Sequence, residues 1–342
     1  MKTIATFGEI MLRLSPPGNE KLFQSPHLSA RFGGGEANVA VSLALLGHRV
    51  RYISIVPDQP IGEAAMAELR KWGVETEYVL RQGKRLGIYF AETGANQRPG
   101  QVIYDREHSA LAEAGPGAID WESAFLGVDW FHVTGITPAL SASAAELTIE
   151  AVRMARHKGL KVSLDLNYRG KLWKYGQAAP EVMGRVVAFA DVALGNEEDF
   201  QKSLGIESDA DVESGSLRLS SYEKLTALVL ERFPSLELVA VTIRESRSAD
   251  RNVWSAVLRD KKEFIPAPRY EITDIVDRIG GGDAFAAGLI HGLELFGDEE
   301  KALSFAVAAS CLKHSLPGDF NLARESEVLA LMRGEASGRI KR

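Results

Sequence analysis

The stretch D277-R-I-G-G-G-D-A-F285 carries three consecutive glycines, 280–282, set directly against Asp283. A strand-like run, YEITDIV, precedes it, and an apolar, helix-period stretch, DAFAAGLIHGL, follows. A helix N-terminus leaves backbone N–H groups without partners and carries partial positive charge, so it attracts phosphate. Glycine lets an anion reach that backbone with no Cβ in the way. Asp283 therefore has two readings, a simple helix cap or a carboxylate doing chemistry beside a bound anion, and spacing alone divides evenly between them. In either case the helix terminus is expected to lower its pKa.

Working outward, the chain alternates between two hydrophobic periods. TIATFG, RYISIV, WFHVTG, KVSLDL, DVALGN and LVAVTI read as strands covered on both faces, as in a parallel sheet. EANVAVSLALLG, GEAAMAELRKWG, AAELTIEAVRMARHKG and EKLTALVLERF read as helices between them, and beyond residue 277 the pattern is mainly helical. This predicts an α/β fold, a mostly parallel central sheet with helices on both faces. Two segments depart from it, about 10–32 and 85–107. Both have strand character without a neighbouring helix, and they are expected to pair as a small antiparallel sheet, a lid over the ligand or a mere decoration. Residues 203–221, rich in Ser, Asp and Glu, read as a surface loop.

Composition narrows the classes. Of 342 residues, 45% are hydrophobic and 25% charged, as in a globular protein with a real core, and the net charge is −6. The only basic run, the terminal RIKR, is too short for a nucleic-acid surface. No apolar run reaches the length of a membrane span, and the N-terminus reads as a strand, not a signal peptide. One cysteine, Cys311, permits no internal disulfide and reads as core packing, so the cytoplasm is the expected location. No GxxxxGK[ST] occurs, which argues against a P-loop nucleotidase, and no GxGxxG follows the first strand, which argues against a dinucleotide dehydrogenase.

The stretch 277–285 resembles the C-terminal signature of the ribokinase-like (PfkB) carbohydrate kinases, and F32-G-G-G-E-A-N-V-A-V-S-L-A-L-L-G47 resembles their N-terminal one. The two lie in the family's order, so the resemblance covers essentially residues 1–342 as a single kinase domain with the ribokinase-like three-layer fold. Further stretches, G8-E-I-M-L-R-L-S-P-P, D165-L-N-Y-R-G-K-L-W173 and S310-C-L-K-H-S-L-P-G-D-F-N321, are similar to those of 2-keto-3-deoxygluconate kinases. The resemblance implies ATP and Mg2+ as cofactors, with phosphoryl transfer to the primary hydroxyl of that sugar acid. Asp283 is implied as the base on the hydroxyl, and the amides of Gly280, Gly281 and Gly282 as the anion hole.

The family's sugar site falls on Gly33, Gly34 and Asn38, which also fit an ordinary tight turn before a helix. Glu9 stands where related neutral-sugar kinases carry aspartate. Arg169 follows a strand at its carboxyl end, where α/β proteins bind ligands, and Arg106 follows a lid strand. Two guanidinium groups suit a carboxylate that arginine grips in bidentate fashion, although a solvated Arg106 is the plainer alternative. Tyr89, Tyr104 and Asn167 join them by resemblance. G195-N-E-E-D199 resembles a metal-organising NxxE motif with aspartate at its end, which points to Asp199 and Glu198 holding magnesium through water. A helix N-cap by Asn196 explains the same residues.

For the nucleotide, Asn196, Arg244, Ser246, Lys313, His314, Gly318 and Asn321 match family positions. Here the chain departs from the pattern twice. The loop R244-E-S-R-S-A-D-R-N252 has no glycine, and Arg278 replaces the usual threonine. The partners implied are a small sugar acid and ATP, and a second copy of the chain paired through the lid edges. A kinase for fructose or another keto acid, and a sugar-binding sensor without turnover, are the alternatives.

Overall fold

Strands buried on both faces must be apolar throughout, and they draw helices onto both sides of the sheet. The computed structural model describes residues 1–210 and 218–335, so part of the acidic loop, residues 211–217, and the terminal RIKR lie outside the described residues. In chain order the elements are β1 (Thr3–Phe7), β2 (Met11–Ser15), β3 (Ser29–Gly33), α1 (Gly35–Leu45), β4 (Arg49–Val56), α2 (Pro60–Lys71), β5 (Val74–Glu75), β6 (Val79–Arg81), β7 (Gly87–Glu92) and β8 (Gln101–Asp105). Then come α3 (Trp121–Ala124), β9 (Trp130–Thr134), α4 (Ala142–His157), β10 (Lys161–Asp165), α5 (Ala179–Val187), β11 (Val192–Asn196), α6 (Glu197–Leu204) and α7 (Leu219–Arg232). The chain closes with β12 (Leu238–Ser248), β13 (Arg251–Arg259), β14 (Phe264–Pro266), β15 (Tyr270–Ile272), α8 (Gly281–Phe296), α9 (Glu299–Lys313) and α10 (Glu325–Met332).

The main sheet runs β14-β13-β12-β11-β10-β9-β1-β4-β5 and is parallel from β12 to β5. Alternate side chains along each strand feed two core layers. In β1, Ile4 packs on one face while Ala5 and Phe7 pack on the other, and in β9 Trp130 opposes Phe131 and Val133. One layer receives the α4, α5 and α7 side, the other α1, α2, α8 and α9. The long hairpin β12–β13 extends the sheet antiparallel beyond the parallel core.

The small second sheet, β3-β2-β7-β8, is built from residues 11–33 and 87–105. It is mixed where an antiparallel one was expected: β2 and β7 run parallel, in register Met11↔Gly87 to Leu14↔Phe90. Both segments leave the main sheet from the carboxyl ends of its parallel strands, so their first strands head the same way. The β3 and β8 partners fold back antiparallel.

Candidate active site

The carboxyl ends of the parallel strands and the N-termini of α1 and α8 surround a cavity of about 460 Å3, with the second sheet along one side. Ligands of open α/β sheets collect at this end. Gly280 is the N-cap of α8 with φ 86°, a left-handed conformation that glycine adopts without strain. The first intrahelical bond is Ala284 N to Gly280 O at 2.9 Å, leaving the N–H groups of Gly281, Gly282 and Asp283 without helical acceptors. An anion here therefore meets one amide, that of Asp283, which the sequence reading did not count.

Asp283 makes no capping bond. Its Oδ2 instead accepts from Asn38 Nδ2 on α1 at 2.6 Å, and Asn38 Oδ1 accepts from Gly34 N at 3.2 Å. The two glycine-rich turns are thus joined through one amide side chain. The expected lowering of the Asp283 pKa is overturned: burial pushes it up to about 6, against the downward pull of the Asn38 bond, and Asp319 adds to the rise. The residue is 7% exposed, and desolvation at that depth outweighs the helix terminus. Beneath it lies Glu36, fully buried, whose Oε1 accepts from Thr134 N, Thr134 Oγ1 and Thr137 Oγ1. Burial holds that carboxyl up at about 7.

The cavity lining brings together Gly34, Asn38, Tyr89, Tyr104, Arg106, Asn167, Arg169, Asn196, Asp199, Arg244, Gly280, Gly281, Gly282 and Asp283. Tyr89 and Tyr104 are cross-strand partners in the second sheet, with ring centroids 5.9 Å apart. Arg106 lies over the Tyr104 ring and is buried, not solvated. Its Nε donates to Glu9 Oε2 at 2.8 Å and its Nη2 to the same oxygen, so Glu9 orients Arg106 while its buried Oε1 has no protein partner. Arg169 is exposed on its loop and donates to Tyr168 O at 2.9 Å. Asn167 takes a left-handed φ of 35°, and its buried Oδ1 has no protein partner.

Other expected residues face elsewhere. Gly33 packs its Cα against the Asp319 carboxylate, and Ser246 lines a neighbouring cavity of about 560 Å3. Lys313 is completely buried behind Gly280 and donates to Leu316 O at 3.1 Å. His314 bonds Ser310 O at 2.8 Å and lies against Trp254. Gly318 N donates to Asp277 Oδ2 at 3.0 Å, and Asn321 bridges Ala309 O and Ala323 N. These four pack behind the anion-binding turn, and these bonds engage their polar atoms inside the fold except at His314, whose buried Nε2 beside Gly281 has no protein partner. The half-buried Cys311 packs against the core, where burial raises its thiol to about 11.

At β11, the capping box is real: Asn196 Oδ1 accepts from Asp199 N at 2.9 Å and Asp199 Oδ2 from Asn196 N at 2.8 Å. Asp199 Oδ1 accepts from Tyr168 N at 2.8 Å, so Asp199 is fixed and buried, while Glu198 is exposed and off the cavity. Asp165, at the end of β10, is the acid that sequence reasoning missed, although it opens the quoted D165-L-N-Y-R stretch. It is buried, and its pKa is driven well up by desolvation first, then by the charges of Asp199 and Asp283. Carboxylates crowded around one cavity fit a divalent cation. Among the described residues no three His, Cys, Asp or Glu side chains are grouped so as to hold a metal ion by themselves. Asp319, also missed, had no signal beyond its place in P-G-D-F.

The two departures in the nucleotide segments prove to be one interaction. Arg278 Nε donates to Ala249 O at 2.7 Å, and its Nη2 to Asn252 Oδ1 at 3.0 Å and to Ser248 O. The guanidinium holds the glycine-free turn from below. Arg244 stacks over its cross-strand partner Trp254, 5.1 Å from the ring centroid. Arg244 and Arg278 both line the cavity, a concentration of positive charge suited to phosphates.

Residues 1–322 match the model of the pfkB family of carbohydrate kinases, and the chain belongs to that family. It is an ATP-dependent sugar kinase. The chain is 33% identical over 337 residues to a 2-dehydro-3-deoxygalactonokinase of Haloferax volcanii, covering 98% of each. It resembles the crystal structure of a 2-dehydro-3-deoxygluconokinase from Thermotoga maritima, with a TM-score of 0.92 and 43% identity, over 97% of this chain and 98% of that one. A fructokinase from Xylella fastidiosa, solved with bound ATP, shares the fold at a TM-score of 0.79 and 21% identity, over 98% of this chain and 99% of that one. Among the described residues no helix is long and apolar enough to cross a membrane.

Proposed function

We propose that the chain phosphorylates the primary hydroxyl of 2-keto-3-deoxygluconate, giving the 6-phosphate and ADP. The observation that carries this is the shared cavity of Asp283, the free amides of Gly281, Gly282 and Asp283, and the arginines Arg106 and Arg169. The hydroxyl oxygen attacks the γ-phosphorus in line, the bond to the β,γ-bridging oxygen breaks, and Asp283 takes the hydroxyl proton. A loose phosphoryl-transfer transition state needs charge stabilisation more than a strong base. The amides at α8 stabilise the transferring group, and Arg244 and Arg278 lie on the side suited to the remaining phosphates. Asp165 and Asp199 would hold Mg2+, which supplies charge neutralisation on the phosphate oxygens when bound.

Two arginines in the sugar half of the cavity support an acid over a neutral sugar. Glu9 fixes the fork of Arg106, Tyr104 supplies a hydroxyl beside the ring of Tyr89, whose own hydroxyl donates to Asp319, and Gly34, Asn38 and Asn167 complete the polar contacts. The H. volcanii relative gives a second reading, the galactonate epimer, in which only the hydroxyl stereochemistry differs. The second sheet acts as the lid. Its edges are β3 and β8, and β8 exposes Ile103, an edge suited to pairing with a second copy of the chain in the cytoplasm. Sedimentation of the chain against an Ile103→Lys variant tests that pairing.

The decisive experiment measures ADP release with magnesium-ATP against 2-keto-3-deoxygluconate, its galactonate epimer, fructose and ribose, with Asp283→Asn as control. Turnover confined to the acids is the expected result. Turnover on fructose or ribose refutes the acid pocket, and ATP binding without turnover on any of them favours a sensor.

A further inference from the structure

Behind the anion-binding turn lies a buried charge cluster that the reaction, as derived, does not use. Arg13 on β2 is 4% exposed, and all three of its guanidinium nitrogens are engaged. Nη2 meets Asp277 Oδ2 at 2.7 Å, Nη1 meets Asp319 Oδ1 at 2.7 Å, and Nε donates to Ser15 Oγ at 2.9 Å. Both carboxylates are tied to the turn. Asp277 Oδ1 accepts from Ile279 N at 3.0 Å, immediately before Gly280. The Asp319 carbonyl oxygen lies so close to Gly280 that a Cβ there would be 2.0 Å away. Asp319 Oδ2 accepts the hydroxyl of Tyr89, the β7 residue in register with Arg13.

We propose that Arg13 is a positioning residue for phosphoryl transfer. Its fork ties the lid strands β2 and β7 to the turn that carries the Gly281–Asp283 amides, so that lid and anion hole share one geometry. Two physical effects support this. The first is geometric, since a planar guanidinium can hold two carboxylates at fixed separation, whereas an ammonium is a point charge. The second is electrostatic. Asp277 and Asp319 place negative charge behind a site that must receive an anion, and Arg13 with Lys313 offsets it. Burial alone works against the charge on Arg13, but Asp319 and Asp277 more than restore it. The Lys313 ammonium is less secure, for burial lowers its pKa despite the same two carboxylates.

The proposal rests on the kinase reading of the site, and the test compares variants with the parent on whichever acceptor the parent phosphorylates fastest. Failure of the parent on 2-keto-3-deoxygluconate then breaks the substrate assignment and leaves the Arg13 comparison intact. Arg13→Ala is expected to lose on the order of 10²-fold in kcat, more than its KM values change, as misplacement near the reacting centre does. Adding millimolar guanidinium is expected to restore about tenfold of that loss and to leave the parent unchanged. A folded Arg13→Ala enzyme within about threefold of the parent kcat overturns the proposal, as does a loss that guanidinium does not relieve. Where Arg13→Ala does not fold, Arg13→Lys serves. It is expected to fold and still lose about tenfold in kcat, and a parent-like kcat in this variant overturns the proposal.

Discussion

Residues 33–35 and 280–282 are both glycine triplets that open a buried helix beside the same cavity, yet they are glycine for different reasons. In the first, backbone conformation is not the issue, because the N-cap Gly34 has an extended φ of 165°. Space is. A Cβ on Gly34 would stand 2.0 Å from Glu9 O, and one on Gly33 would stand 2.3 Å from the Asp319 carboxylate. In the second triplet, Gly280 needs both a left-handed φ and a missing Cβ, Gly281 packs under His314, and Gly282 has nothing within 4 Å of its would-be Cβ. The first triplet is a packing joint. The second combines a turn that only glycine makes easily with a patch of backbone facing open space, which is what an anion requires.

Substitutions separate these reasons, and the largest effect falls on Asp283, which follows the second triplet and is tied to the first through Asn38. Asp283→Asn is expected to lower kcat about 10³-fold while leaving the sugar KM within about threefold, since Asn38 loses only part of its bond. An amide variant with substantial turnover would refute the base assignment. Gly280→Ala, strained in φ and pressed on a backbone carbonyl, is expected to cost about 3 kcal/mol in chemical denaturation. Gly34→Ala meets a carbonyl but no strain, and about 2 kcal/mol is expected. Gly282→Ala should leave the unfolding midpoint unmoved yet lower kcat/KM for ATP about tenfold, by filling the space before the amides. If it destabilises the fold instead, the contrast between the triplets fails. The smallest effect is a titration. Asp283 must be ionised to accept the proton, and its pKa is raised to about 6, so kcat/KM falls as pH drops through about 6 and is level above it. An acid limb near the ordinary aspartate value would show that burial does not govern the site.

The alternation of strand and helix was legible because strands covered on both faces cannot hide their apolar runs, and the glycine triplets marked the two helix starts. The parallel pairing of β2 with β7 was not, since strand direction depends on where each segment leaves the main sheet. Nor was the state of Asp283. Its helix-start position argued for a lowered pKa, and only the packed surroundings reverse that sign. Asp165 lay in plain view at a strand end, whereas Asp319 and Arg13, 306 residues apart, are joined by topology alone. At Asn196 and Asp199 the modest explanation, a helix cap, holds beside the functional one; at Asp283 it does not, because α8 is capped by Gly280.

The grip of Arg278 on the turn at 248–252 bears on how this kinase could have diverged and how it could be engineered. Restoring threonine at 278 while keeping the turn would leave two carbonyls and an amide oxygen without their donor. A glycine turn under an unchanged Arg278 would keep the two carbonyl acceptors only where its backbone follows the present path, and would lose the amide oxygen of Asn252 wherever that residue changes. Either single exchange disturbs this set of contacts, so the two segments are expected to behave as an epistatic pair. Chimeras that place threonine at 278 are expected to keep their stability best when the swap takes both segments at once.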